Sequence, residues 1–257
     1  MKNKSIAEIK QIIDENNLSD SDCSDLQRDS RKGVQKLWKA YEQGQKKEKE
    51  LELHFLEMCQ YEHKNYTNGC EYIAGIDEAG RGPLAGPVVA AAVILPRNFK
   101  LLGLDDSKLL NEHKRNEFFT LIKEQAISFG ISIVSNQKID QVNIYEATKI
   151  AMRDALSQLD PCPDHVLIDA VPLEHLPCTS ESITKGDQKS ITIAAASVLA
   201  KVTRDTIMKK IHKDFPFYDF ESNMGYGTKH HMDALKQHGS TPFHRKSFAP
   251  VKNTFSG

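Results

Sequence analysis

The sequence has no long apolar run. Nothing in its 257 residues approaches the ~20 consecutive apolar positions that a membrane-spanning helix needs. The amino-terminal segment MKNKSIAEIKQIIDENN is polar and amphipathic and lacks the apolar core of a signal peptide. Cysteine is sparse. Cys23, Cys59, Cys70, Cys162 and Cys178 are odd in number and form no Cys-x-x-Cys pair. That pattern disfavours a disulfide scaffold or a zinc ribbon and fits a reducing, cytoplasmic setting. No His-x-x-x-His or His-Glu-x-x-His occurs, and the adjacent His230 and His231 cannot both face one metal on a helix. No Gly-x-Ser-x-Gly elbow occurs either, which disfavours a serine hydrolase. Internal repeats and long low-complexity tracts are also missing.

What remains is a globular composition, 39% hydrophobic and 27% charged, with room for one good-sized domain, or one domain plus an appendage. The net charge of −1 hides a local imbalance. The C-terminal third is basic, with Lys201, Arg204, Lys209, Lys210, Lys213, Lys229, Arg245 and Lys246. Residues 1–70 are rich in Lys, Glu, Gln and Asp and hold the one tryptophan, Trp38. Ile6, Ile9, Ile12 and Ile13 fit one helical stripe. Leu37, Tyr41, Leu51, His54, Phe55 and Met58 suggest a second, longer helix. This reads as a helical N-terminal extension, and a purely solubilising role for it stays open.

From residue 71 to 257 strand and helix signals alternate. Tyr72–Asp77 and Val88–Leu95 read as strands. The GRGPLAGP between them is too short for a crossover helix, so the two strands should be antiparallel neighbours. A helix is expected over 111–126, a strand over 127–135 and a helix over 144–159. HVLID at 165–169 is a short buried strand. A long helix with a small-residue face follows over 191–212, and a last one over 228–237 that Gly239 can end. The order predicts an α/β fold, a mixed sheet flanked by helices.

The most informative stretch is EYIAGIDEAGRGPLAGPVVAAAVILP, residues 71–96. An apolar strand ends in Asp77 and Glu78, and acids at the tip of a buried strand need something to neutralise them. A divalent metal does this, and hard cations take oxygen ligands. Asp169 ends HVLID in the same way, so two central strands side by side would bring Asp77 and Asp169 together. Side chains alternate along a strand, so Asp77 and Glu78 share a metal only if the chain bends there, and otherwise they contribute differently. Asp187 precedes a helix and reads either as a fourth carboxylate or as an acid favoured by the helix dipole. Three or four such acids suit two divalent ions about 4 Å apart, an arrangement that hydrolyses phosphodiesters.

Gly75 to Gly82 nearly fits a P-loop, but Arg81 and Gly82 replace its Lys and Ser/Thr. Two acids also occupy the loop that should cradle phosphates. The backbone of Gly80, Arg81 and Gly82 can instead meet the sugars or phosphates of a longer substrate. In LGLDDSKLLNEHKR, Asp106 or Ser107 reads as a helix cap, and Lys108 reads as a phosphate contact or a solvated lysine. Tyr226 lies between Gly225 and Gly227, positioned to stack on a sugar or base or to pack its loop down.

Together these residues resemble the bacterial ribonuclease HII family, the type 2 ribonucleases H. The resemblance covers roughly residues 70–252. It is carried by GIDEAGRGPLAGPVVAAAVILP, DSKLL, LIDA and KGDQKSITIAAASVLAKVTRD, and extended by GYGTKHH and HRKSFAPV. It implies an RNase H-like fold with a central mixed sheet of about five strands and a helical C-terminal part; the helical N-terminal extension lies outside the match. It implies metal-dependent endonucleolytic cleavage of RNA in RNA–DNA hybrids, with Mn²⁺ or Mg²⁺. Incision on the 5′ side of single ribonucleotides in duplex DNA is also implied, leaving 3′-hydroxyl and 5′-phosphate ends. Carried over, Asp77, Glu78, Asp169 and Asp187 are the metal-binding catalytic acids. Gly80, Arg81 and Gly82 read the ribose 2′-hydroxyl, and Tyr226 stacks on the sugar that follows. Reading a 2′-hydroxyl is what separates RNA from DNA at one position. Arg81 at the centre of the glycine motif and the helical first ~70 residues favour type 2 over a ribonuclease HIII-like enzyme. The rival from another class is a non-catalytic nucleic-acid-binding module of the same fold, and a phosphohydrolase acting on small phosphates is a third reading. The expected partners are RNA–DNA hybrid and DNA duplex containing ribonucleotides, with no membrane, and a monomer is expected.

Overall fold

A computed structural model describes residues 1, 4–15 and 17–253, so residues 254–257 at the end of the expected catalytic domain lie outside the described residues. The chain forms two compact units, Met1–His54 and Phe55–Gly257. In the first, α1 (Ile6–Asp14) and α2 (Asp20–Gln27) each begin with a reciprocal capping box, Ser5 with Glu8 and Ser19 with Asp22. Ile9, Leu26 and Val34 form a small buried core with Trp38 packed against it. The long α3 (Lys32–Met58) runs through the division. Its last turn belongs to the second unit, where Phe55 and Met58 are core residues.

The second unit continues with α4 (Gln60–Thr67) and then a five-stranded sheet in the order β3-β2-β1-β4-β5. These strands are β1 (Ile73–Ala79), β2 (Val88–Ile94), β3 (Ser128–Val134), β4 (His165–Asp169) and β5 (Thr179–Ile183). As expected, β1 pairs antiparallel with β2, and it pairs parallel with β4. Every residue of β2, VVAAAVI, is buried, because helices cover both of its faces.

On one face, α8 (Ile191–Asp214) lays its small residues, Ala194, Ala195, Ala196 and Ala200, into a core shared with Val89, Ala91 and Val93. Helix α5 (Glu112–Gln125) joins it there through Phe118 and Ile122. On the other face, α6 (Asn136–Val142) and α7 (Ile144–Leu156) pack Ile139, Ala147, Ala151 and Ala155 against Ala74, Ile76 and Ala90. The approach of α8 is very close at Gly75. A Cβ there would lie 2.1 Å from the Thr192 carbonyl carbon, so only glycine permits this crossing. The C-terminal part, α9 (Phe220–Asn223), α10 (Lys229–His238) and α11 (Ala249–Lys252), closes over a third core of Met208, Phe220 and Leu235. Gly239 ends α10 with φ +76°.

Candidate active site

The parallel register of β1 and β4 sets Ile76 beside Ile168, which puts the next residues, Asp77 and Asp169, at adjacent strand ends. Asp187 sits on a 3₁₀ turn, Gly186–Gln188, just before α8. That helix runs under β1, so the turn arrives beside the two strand-end acids. Ligand oxygens of Asp77, Asp169 and Asp187 all lie within 4.8 Å of one another. Each is held by local bonds. The Asp77 carboxylate accepts from the Glu78 amide at 2.7 Å, and that of Asp169 accepts from the Gly186 amide at 2.7 Å. Lys108 donates to Asp187 at 3.4 Å.

Electrostatics at this cluster favour a bound cation. Burial, then the charges of Glu78 and Asp169, push the Asp77 carboxyl well above the usual carboxylate range. Burial and then Asp106 and Asp169 raise Asp187. Lys108 opposes the rise at Asp187 without cancelling it, so both carboxylates remain short of positive charge.

Glu78 is not in that trio. It follows Asp77 near the end of the strand, yet its carboxylate feels the charges of Asp169 and Lys108 and lines the same cavity. Its Oε1 accepts from Arg81 at 3.2 Å, while Oε2 is buried with no hydrogen-bond partner among the described residues. Burial raises its carboxyl, and the Arg81 charge opposes the rise. An unpartnered buried carboxylate oxygen beside three converging acids fits a divalent cation with oxygen ligands.

Next to the acids opens a cavity of about 470 Å³ lined by Glu78, Gly80, Arg81, Gly82, Lys108 and Tyr226 among others. The glycine motif and the tyrosine are neighbours: a Cβ on Gly82 would lie 3.4 Å from the Tyr226 ring. Gly80 has φ +100°, and a Cβ there would meet Arg204 at 2.1 Å, so glycine is required on both counts. Tyr226 is 48% exposed, and its ring is available at the cavity wall. The Lys108 side chain is 71% exposed. Burial works against its charge, but Asp106 and Asp187 hold its ammonium above the ordinary lysine range.

Two expectations need correction. Neither Asp106 nor Ser107 caps α5; Asn111 does, accepting from the Lys114 amide at 2.9 Å. Asp106 is instead buried, accepting from the Lys108 amide and from Gln188, while Ser107 bonds Ser197 on α8 at 2.9 Å. Arg204 and Arg245, counted in the basic C-terminal part, are almost fully buried and donate to backbone carbonyls, so neither faces a phosphate. A single sequence carries no signal that separates such an arginine from a surface one.

Comparisons with known proteins point to one family. The family model described as Ribonuclease HII matches residues 74–251, and the one described as Ribonuclease HII N-terminal domain matches residues 5–66. A ribonuclease HII of Oceanobacillus iheyensis is 57% identical over 251 residues, covering 98% of this chain and 96% of its own. Among solved structures, ribonuclease H2 of Pyrococcus horikoshii matches with a TM-score of 0.64 at 24% identity, over 72% of this chain and 98% of its own. A structure of Bst-RNase HIII in complex with Mn²⁺ matches with a TM-score of 0.59 at 18% identity, over 72% of this chain and 69% of its own.

Proposed function

The chain belongs to the ribonuclease HII family, and from that premise we propose that Asp77, Glu78, Asp169 and Asp187 form the catalytic metal site of an endoribonuclease that cuts at ribonucleotides paired with DNA. The endoribonuclease activity is that of the family. The observation that carries the assignment is the convergence of the Asp77, Asp169 and Asp187 oxygens within 4.8 Å beside the cavity of Gly82 and Tyr226.

Asp77, Asp169 and Asp187 would hold Mn²⁺ or Mg²⁺, with Glu78 as the adjoining acid. Two such ions, when bound, supply Lewis acidity at the scissile phosphate and lower the pKa of a coordinated water. The protein's own part is placement. Backbone amides of Glu78 and Gly186 fix the Asp77 and Asp169 carboxylates. Lys108 offsets part of the negative charge that would otherwise repel a phosphate, and it can contact that phosphate directly. Gly80, Arg81 and Gly82 bring backbone close enough to read a 2′-hydroxyl. Tyr226, packed beside Gly82, stacks on the following sugar and selects the RNA–DNA junction.

On this reading the substrates are RNA–DNA hybrids and DNA duplexes with single ribonucleotides, cut on the 5′ side to leave 3′-hydroxyl and 5′-phosphate ends. The catalytic domain runs over 71–257 and the helical extension over 1–70, with residues 55–67 packed into the catalytic unit. The proposed acids and cavity residues all come from one chain, in keeping with a monomer. The enzyme works in the cytoplasm, consistent with five free thiols and with no described helix long and apolar enough to cross a membrane.

The test is Asp77→Asn on a uniform RNA–DNA hybrid with Mn²⁺ or Mg²⁺. The change removes charge but little volume, so cleavage should vanish while affinity for the hybrid stays near wild type. Wild-type turnover in that variant would remove the metal assignment.

A further inference from the structure

Two neighbouring buried residues near the C-terminus hold both elements that face the cavity. Arg245 threads under the glycine motif. Its guanidinium donates to the carbonyls of Gly80 at 2.5 Å, Arg81 at 2.9 Å, Gly86 at 3.0 Å and Pro87 at 3.2 Å. Five donors in a rigid fork suit such a task, and a lysine cannot copy them. His244, the residue before it, is linked to the Tyr226 loop through His231. The two imidazoles meet Nε2 to Nε2 at 2.9 Å, and His231 Nδ1 lies 2.8 Å from the Tyr226 carbonyl.

The direction of this chain of bonds follows from its fixed end. The Thr241 amide donates to His244 Nδ1 at 2.9 Å, so that nitrogen is an acceptor. In neutral His244 the proton is therefore on Nε2, which donates to His231. His231 then carries its proton on Nδ1 and donates to the Tyr226 carbonyl. Every ring nitrogen is satisfied by one arrangement of protons, and both rings are buried. Backbone pairing locks the support in place: the Gly86 amide donates to Phe243 O at 2.9 Å and the Arg245 amide to Leu84 O at 2.8 Å. Asp140 on α6 clamps the far side, accepting from the amides of Lys246 and Ser247.

We propose that His244 and Arg245 are positioning residues that set the spacing between Tyr226 and the Gly80–Arg81–Gly82 backbone, and thereby the preference for an RNA–DNA junction. The inference rests on the proposed roles of Tyr226 and the glycine motif. Neither residue touches substrate; each acts through the loop it holds.

The experiment compares kcat/KM on a DNA duplex carrying one ribonucleotide with kcat/KM on a uniform RNA–DNA hybrid. The ratio cancels any loss of folded enzyme, so a purely structural role leaves it unchanged. His244→Asn keeps an acceptor for Thr241 but cannot reach His231, and it should lower the ratio on the order of tenfold. His244→Gln places an N–H near the lost Nε2 and should recover most of it. If His244→Asn does not fold, His231→Gln, which drops the donor to the Tyr226 carbonyl, carries the same expectation. An unchanged ratio in these variants, with Tyr226→Ala lowering it, overturns the positioning role alone. An unchanged ratio in Tyr226→Ala itself overturns the reading of the tyrosine, and this inference with it.

Discussion

Gly75→Ala should damage the active site without touching any residue in it. Gly75 lies two residues before Asp77 on β1, so its missing side chain would point to the same face. Its backbone is ordinary strand, and alanine brings no conformational penalty there. The obstacle is packing. The new Cβ would sit 2.1 Å from Thr192 C and 2.4 Å from Ile193 N and Thr192 O, all backbone of the first turn of α8. Reaching an ordinary 3.4 Å contact opens about 1.3 Å between strand and helix. Overpacking of this kind costs about 1–3 kcal/mol, which lowers the melting temperature by roughly 3–10 °C for a chain of this size. The helix start also carries the Asp187 turn. A displacement near 1 Å at that turn separates Asp187 from Asp77 and reduces turnover on the order of 10²-fold. Thermal melting and cleavage of an RNA–DNA hybrid across a Mn²⁺ series measure both effects. A variant with wild-type melting and turnover refutes the packing argument. Lower stability with full turnover would show that the sheet yields without moving the acids.

Other expectations follow from the same geometry. Tyr226→Ala should hurt incision at a single ribonucleotide more than cleavage of long RNA tracts, and equal losses would leave the tyrosine as loop packing only. Lys108→Ala should raise KM and reduce the salt slope of hybrid binding by about one; unchanged values would restrict Lys108 to its bonds with Asp106 and Asp187. The buried His244 has its pKa pushed down from 6.5 to about 4, by burial and then by His231. The folded value is depressed, so the stability it contributes is complete above pH 6.5 and is lost as pH falls toward 4, on the order of 3 kcal/mol in all. Melting temperatures from pH 7.5 to 4 should therefore fall less steeply in His244→Gln than in wild type, and parallel curves would contradict this.

The sequence announced the central strands because burial on both faces leaves an unmistakable apolar run, as in VVAAAVI and HVLID. Strand β5, TSESI, was unreadable for the opposite reason: it is an edge strand, mostly exposed, with one buried residue. Helices α2 and α6 are short and largely polar, so they left no periodic stripe. The convergence of Asp77 with Asp169 could be inferred from two strands ending in acids. Two features could not: the bond of Glu78 to Arg81, and the buried carbonyl contacts of Arg204 and Arg245. The arginine contacts depend on loops brought together from distant parts of the chain, and the Glu78–Arg81 bond, only three residues long, forms through the way the chain leaves β1 at Gly80. The division between the two compact units, after His54, was likewise hidden inside one continuous helix, α3, whose charged pattern barely changes where Phe55 and Met58 turn inward.

The most direct measurement is cleavage of an end-labelled DNA duplex carrying one ribonucleotide, with Mn²⁺, Mg²⁺ or EDTA. The account predicts a single cut on the 5′ side of that ribonucleotide with either metal and none with EDTA. Cleavage of a long RNA–DNA hybrid with no cut at the single ribonucleotide would contradict the junction reading. Cutting that persists in EDTA would contradict the metal site itself.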